Sequence, residues 1–385
     1  MTTIIIVLFT GSIIVWSFFL LDASFGLRKI DKLENEEKLI HGPLLSIIVA
    51  ARNEEKHLEN SIRSQLNQTY KRIEWILVND RSTDATGEIM KRLKTEDSRI
   101  KVLQIDSLPS GWLGKNYAMY RGSLKAKGEL LLFTDADVIY KKEAVAKGIA
   151  YVKKHQLDHL TVAPNLRAKS FWLRTFIAFF LFSFSYLKRP WLTNDDHSKK
   201  GMGIGAFNLV SKKAYEKFGT HKSIKMRPDD DLQLGIRMKQ LGFHQRMVTG
   251  LKLLEVEWYG SLREALVGLE KNTFAGLHYR ISMVLFAIFG IFSTNIIPFI
   301  TLFSTNHIIA MLSLINMMII IVLYTIVIRK MTSFSPWMFI VFPITASIFI
   351  YSIIRATCLT LKRGGIIWRG TTYSLKELRQ NKGGK

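Results

Sequence analysis

Cysteine and acidic residues are the scarce components of this 385-residue chain. One thiol, Cys358, forms neither an intramolecular disulfide nor a multi-cysteine zinc centre, so both frameworks are excluded. Asp and Glu number 31 against 54 Lys and Arg, a net charge of +23. That excess suits anionic lipid and nucleic acid equally, but no zinc-finger or RRM signature accompanies it, and nucleic acid is set aside as a partner. No GxGxxG follows a predicted strand and no GxxxxGK[ST] occurs, which removes the nicotinamide fingerprint and the P-loop. Nor do the nine histidines, among them His57, His155, His159 and His244, show metal-ligand spacing; they read as solvated or packed. With 48% hydrophobic residues the chain is too apolar to be disordered, and its length allows one to three domains.

The apolar residues are clustered. Residues 3 to 21 are uncharged and long enough to cross a bilayer as one helix. A signal peptide would begin with basic residues, whereas here Arg28 and Lys29 follow the run. Residues 1–24 therefore read as an uncleaved anchor with its downstream side in the cytoplasm. Three further runs, 281 to 303, 308 to 328 and 337 to 359, form a membrane module over 278–361, followed by a basic tail, 362–385. Four crossings would place that tail opposite the middle of the chain, yet it carries Lys362, Arg363, Arg369, Lys376 and Arg379. Pro298 and Pro343 lie inside two of the runs, and one run is expected to enter and return without crossing. Residues 171–192, aromatic and flanked by Arg174, Lys188 and Arg189, read as a helix lying in the membrane interface. A multi-pass protein of the plasma membrane with a cytoplasmic middle domain is expected.

That middle domain, 41–265, has the pattern of an α/β fold. Short apolar runs at 44–50, 73–78, 100–105 and 129–134 have strand length and composition, and charged helical stretches at 54–66, 83–95 and 115–127 separate them. Alternation implies a parallel, doubly wound sheet whose ligands sit beyond the carboxyl ends of the strands. Three polar clusters fall there: Ala51-Arg52-Asn53-Glu54-Glu55, Asn79-Asp80-Arg81-Ser82-Thr83-Asp84 and Asp135-Ala136-Asp137. A strand-end DxD is often only a turn or cap. Two carboxylates one residue apart are also hard oxygen ligands for Mg²⁺ or Mn²⁺, ions commonly shared with a substrate's phosphates.

Taken in order, these motifs resemble the family 2 inverting glycosyltransferases of GT-A fold, from about Ser46 to Gly242. Ala51 to Glu55 resembles that family's first nucleotide-binding element and Val78 to Asp84 its second. Gly114-Lys115 matches the GK before a helix, Asp135-Ala136-Asp137 the metal motif, and Asp230-Asp231-Leu232-Gln233-Leu234-Gly235-Ile236-Arg237 the late ED..LG.R element. The resemblance implies a nucleotide-diphospho-sugar transferase with a Rossmann-like mixed sheet. In it, Glu54 and Asp80 would hold uridine, Lys115 and Asp135 would serve the nucleotide and diphosphate, and Asp137 with Asp135 would hold Mg²⁺ or Mn²⁺. Ala51, Arg52, Asn53 and Ala136 would line the nucleotide-sugar pocket, and Asp231 beside Asp230 would be the catalytic base. Ala50 stands where the family usually has Pro, Arg81 where Gly is common and Asp230 where Glu is common.

Chemistry gives the acids separate work. Inversion needs a base to take the acceptor's proton as it attacks C1, worth roughly 10² to 10⁴ in rate, and a cation on the far side to neutralise the departing diphosphate. Asp229-Asp230-Asp231 taken alone would also suit the positive end of a helix. The three glycines of Gly201-Met202-Gly203-Ile204-Gly205 suit either a flexible loop or a close backbone approach to the donor sugar. No QxxRW of processive synthases occurs after Glu257-Trp258-Tyr259. The chain is more similar to enzymes that glycosylate lipids: ceramide glucosyltransferase-like proteins and the bacterial transferases of carotenoid and hopanoid pathways. Trp368-Arg369-Gly370 and Tyr373 resemble the W(K/R)G..Y tail of staphyloxanthin-pathway glucosyltransferases. The expectation is a UDP-sugar donor, a hexose (glucose foremost) and a hydrophobic or lipid acceptor glycosylated once. A processive polysaccharide synthase and a non-catalytic membrane scaffold are the alternatives.

Overall fold

Strand-length apolar runs alternate with amphipathic stretches through the first half of the chain, and the computed structural model, which describes residues 2–368 and 371–380, shows what they build. In chain order the first elements are α1 (Thr2–Gly26), β1 (Leu45–Ala51), α2 (Leu58–Leu66), β2 (Ile73–Asp80), α3 (Thr86–Glu96), β3 (Ile100–Ile105), α4 (Gly114–Ser123) and β4 (Leu130–Thr134). Next come β5 (Ile139–Tyr140), α5 (Ala144–Lys154), β6 (His159–Leu166), α6 (Phe171–Lys188), β7 (Asn208–Ser211), α7 (Lys212–Lys217), α8 (Asp230–Gln240) and β8 (Gln245–Val256). The remainder is α9 (Leu262–Gly268), α10 (Glu270–Gly276), α11 (Ile281–Asn295), α12 (Ile297–Thr301), α13 (His307–Met331), α14 (Phe342–Arg363), β9 (Gly365–Trp368), β10 (Thr371–Ser374) and α15 (Leu375–Gln380). Two units result: Ile30–Leu166 with Pro190–Glu257, and Met1–Lys29 with Arg167–Arg189 and Trp258–Lys385.

The first unit is an eight-stranded sheet ordered β3-β2-β1-β4-β7-β6-β8-β5. Its first four strands are parallel; Ile47 of β1 lies opposite Trp75 of β2 and Leu132 of β4. Side chains alternate between faces, and both faces are covered. Ile47, Val49, Trp75 and Leu132 pack with Leu58, Ile62, Met90 and Ile149 of α2, α3 and α5. Ile48, Ile76, Val78 and Phe133 pack on the opposite face with Ala118, Met119, Leu234 and Met238 of α4 and α8. Coverage on both sides is why these strands read as continuous apolar runs.

The sheet as a whole is mixed. β7 runs antiparallel to β4 and β6, β8 parallel to β6, and β5 antiparallel to β8. The wholly parallel sheet that alternation implies therefore holds only for β1 to β4. Between β6 and β7 the chain makes α6 and a long loop instead of a crossover helix on the sheet, so no βαβ handedness constraint fixes the direction of β7.

The second unit is helical. α1 and α13 pack together, with Asn316 of α13 accepting from the Ser12 hydroxyl at 2.8 Å. α6 packs on α13 and α14, its Phe179 and Phe182 against Phe342. It starts at the Ser170 cap, which accepts from Leu173 N–H, and stops at left-handed Arg189, whose guanidinium grips Asp22 in a two-pronged pair. β9 and β10 form a hairpin after α14. Of the tail motif, Arg369 and Gly370 lie outside the described residues.

Candidate active site

β1, β2 and β4 are parallel neighbours, so residues 51–55, 79–84 and 135–137 emerge along one edge. The first two clusters knit together. Asn53, at φ 57°, accepts from Thr83 N–H at 2.9 Å and donates its own N–H to Ser82 Oγ at 3.1 Å. Glu54 N–H reaches Thr86 Oγ1 at 2.8 Å, and Glu55 accepts from Ala85 N–H at 3.0 Å. Asn53 and Glu55 thus shape the loop, while the Glu54 carboxylate stays near the Asp137 carboxylate and raises its pKa. Ala51 and Ala136 are buried and Arg52 is half-buried.

Asp80 ends β2 in a buried position with both oxygens on Arg81, at 2.7 and 3.1 Å. Arg81 has φ 55°, the left-handed backbone for which glycine is the usual choice, so the turn keeps its shape and gains a guanidinium. The pair presses on the first residue of α4: a side chain at Gly114 would meet Asp80 Oδ2 at 2.4 Å. Only glycine fits before Lys115.

Lys115 joins the third cluster to the late acids. Its ammonium lies 2.8 Å from Asp135 Oδ1 and 3.5 Å from Asp230 Oδ1. The three consecutive acids before α8 have three different partners. Asp229 accepts from Arg227 and Gln233, Asp230 faces Lys115, and Asp231 Oδ2 accepts from Gly205 N–H at 2.8 Å. Gly205 C=O accepts in turn from Asp135 N–H at 2.9 Å. A side chain at Gly205 would meet Asp135 Oδ2 at 2.3 Å and Asp231 Oδ2 at 3.2 Å, so the two carboxylates flank one glycine. Residues 96 apart in sequence share one small pocket, lined by Lys115, Phe133, Asp135, Gly205, Asp230 and Asp231 among others. The glycine-rich strap therefore brackets the acids themselves.

Burial, then the Asp135 and Glu54 carboxylates, push Asp137 up to about 7. Burial also raises Asp231; Lys115 opposes the shift and Asp135 adds to it. Burial disfavours charge on Lys115, yet Asp135, Asp230 and Asp231 outweigh it and hold the ammonium above the ordinary lysine range. Asp135 shares Lys115 with Asp230, while Asp137 is buried beside the Asp135 and Glu54 carboxylates; the two offer hard oxygen donors that fit Mg²⁺ or Mn²⁺. Among the described residues no group of three or more His, Cys, Asp or Glu is arranged to hold a metal, so further ligands would come from a diphosphate and water.

Sequence reasoning missed the backbone N–H of Gly205 and Asn116, whose amide donates to Ile224 C=O and Arg227 C=O at 2.8 and 2.9 Å and ties α4 to the loop before Asp229. An isolated asparagine carries no signal of such a role.

A mixed sheet with acids gathered at the ends of β1, β2 and β4, and a fourth acid brought in by α8, defines a GT-A fold. Residues 46–219 match the family model Glycosyl transferase family 2. The 4,4'-diaponeurosporenoate glycosyltransferase of Staphylococcus aureus strain USA300 is 30% identical over 193 residues, half of this chain and half of that one. The protein of the same name from Staphylococcus haemolyticus is 32% identical over 122 residues, covering 31% and 32%. The chain thus spans about a third to a half of the length of these relatives. A mannosyltransferase from Pyrobaculum calidifontis, solved with GDP-Man and Mn²⁺, superposes with a TM-score of 0.55 at 14% identity, covering 94% of this chain and 98% of that one. That likeness establishes the fold.

Proposed function

We propose that the protein is a membrane-bound inverting glycosyltransferase that moves a hexose, glucose first, from a UDP-sugar to a hydroxyl group of a hydrophobic acceptor, once per acceptor. The observation that carries this reading is the pocket in which Asp135 and Asp231 flank Gly205. A base and a diphosphate-binding edge lie within reach of one bound sugar. Glu54 and Asp80, with Arg81, would hold the nucleoside, and Lys115 would steady the diphosphate. Asp135 and Asp137 would hold a divalent cation, which supplies charge neutralisation for the leaving UDP. Asp231, anchored through both oxygens to the N–H groups of Gly205 and Leu232, would take the acceptor's proton through a remaining lone pair. Burial raises its pKa, which makes the carboxylate a stronger base than a solvated aspartate.

Among the described residues five helices are long and apolar enough to cross a membrane, which supports the membrane reading: 2–29, 171–188, 281–301, 307–331 and 336–363. Glu270 of α10, just before α11, pairs with both Arg355 and Arg363 of α14. The start of α11 and the end of α14 thus share one end of the bundle. This supports an even number of crossings between them and a basic tail on the side of α10, as the charge rule asks. The carotenoid-acid transferases among the relatives favour an extended apolar acceptor.

The test is to incubate membranes containing the protein with radiolabelled UDP-sugars and extract the lipids. A labelled organic-phase product is expected with a divalent ion present and is lost on chelation. Label retained only in aqueous polymer would select a processive synthase instead.

A further inference from the structure

Gln245, His159 and Asn208 open three strands that lie side by side in the sheet, β8, β6 and β7, and all three side chains are buried. The two N–H groups of Gln245 Nε2 are shared among Met202 C=O at 3.1 Å, Gly235 C=O at 3.1 Å and the adjacent His159 Nδ1. Gln245 Oε1 accepts from Met202 N–H at 3.3 Å. His159 Nε2 donates to Asn208 Oδ1 at 3.1 Å, and that oxygen also accepts from Ile204 N–H at 3.2 Å. These contacts converge on the backbone of the strap 201–205.

The strap offers little else to hold. Added side chains at Gly201, Gly203 and Gly205 would meet Gly235 C=O at 2.2 Å, Asp231 C=O at 1.9 Å and Asp135 Oδ2 at 2.3 Å. It is threaded between α8 and the end of β4 where only bare backbone fits, so only its N–H and C=O groups can be gripped. Apolar residues could fill the same core at lower desolvation cost, whereas a connected polar network selects one arrangement.

We propose that Gln245, His159 and Asn208 are positioning residues: they fix the strap, and the strap fixes the Asp231 carboxylate against Asp135, setting the gap between acceptor base and donor. This rests on Asp231 acting as base in the transfer proposed above. Their hydrogen bonds go to the strap, to Gly235 and to one another, and Asn208 also lines the pocket of Asp135 and Asp231, so the effect falls on turnover more than on donor affinity. Displacement of a reacting group by about 1 Å costs on the order of 100-fold.

The test compares Asn208→Ala and Gln245→Met with Asn208→Asp, which keeps the acceptor for Ile204 N–H and His159. Asn208→Ser is made alongside, so that a folded variant carries the comparison if a larger change unfolds the domain. The readouts are kcat and donor KM for organic-phase product, and UDP affinity by calorimetry. Expected is a kcat loss of roughly 10- to 100-fold in Asn208→Ala and Gln245→Met. Donor KM and UDP affinity should stay within about threefold, and Asn208→Asp should recover most of the loss. Unchanged kcat, or a loss of UDP binding that matches the loss of kcat, overturns the positioning role. Wild-type protein without transfer from any sugar nucleotide overturns the functional reading itself and the positioning role with it.

Discussion

The two halves of the sheet hold their acids differently. In the parallel half, Asp80, Asp135 and Asp137 stand at or just beyond the ends of β2 and β4, where chain direction alone delivers them to one edge. In the mixed half, Asp231 arrives on α8 and is aimed by Gly205 N–H, on a strap gripped by three buried polar residues from three strands. The first half is specified by local pattern, the second by tertiary contacts. A base that must meet an incoming hydroxyl at a fixed angle needs the second kind of support; carboxylates facing a mobile cation and a flexible diphosphate do not.

The largest effect that sharpens this contrast is expected at Asp231. Asp231→Asn should lower kcat by roughly 10² to 10⁴ with little change in donor KM, read from labelled lipid product. Asp137→Asn should cut kcat/KM by about 100-fold and abolish the response to added Mn²⁺, read as activity against ion concentration. A variant of either half that behaves like the other would break the contrast.

A smaller effect reads the buried network through stability. Burial lowers His159 to about 4 from 6.5, although the bond to Asn208 opposes the shift. Its contribution is therefore fully present above pH 6.5 and falls as pH drops toward 4, where the unfolded chain binds a proton that the folded domain refuses. The slope is about 1.4 kcal/mol per pH unit from this residue. His221, lowered to about 3 by burial and Lys115, acts in the same direction. Urea unfolding of the purified protein at pH 7 and pH 5 should show the loss, and His159→Gln should flatten the dependence.

The smallest effect tests the locally specified half. Asn53→Ala removes the acceptor for Thr83 N–H and puts at φ 57° a residue that tolerates the left-handed region less well than asparagine, which should cost about 1 to 2 kcal/mol. Asn53→Gly keeps the backbone and should cost less; thermal melts rank the two.

What was legible in the sequence follows the same division. β1 to β4 lie within a few residues of the apolar runs, and the acids at their ends were found because a parallel sheet has only one carboxyl edge. The antiparallel insertion of β7 was not readable, because four residues after a glycine-rich loop carry no directional signal. Arg81 was visible as a departure from a common glycine, but its grip on Asp80 needed coordinates. Gln245 and His159 looked like any isolated polar residues, since Gln245 is partnered by backbone atoms of a distant loop and His159 by side chains distant in sequence.

The central claim is that Asp137 and Asp231 do separate jobs on either side of Asp135, which shares a pocket with Asp231. Calorimetric titration of UDP with and without Mn²⁺, paired with turnover, tests it on both variants. Asp231→Asn should bind UDP with the wild-type response to Mn²⁺ and fail to turn over, while Asp137→Asn should lose that response. An Asp231→Asn protein that turns over at the wild-type rate, or an Asp137→Asn protein whose UDP affinity still rises with Mn²⁺, would contradict the account.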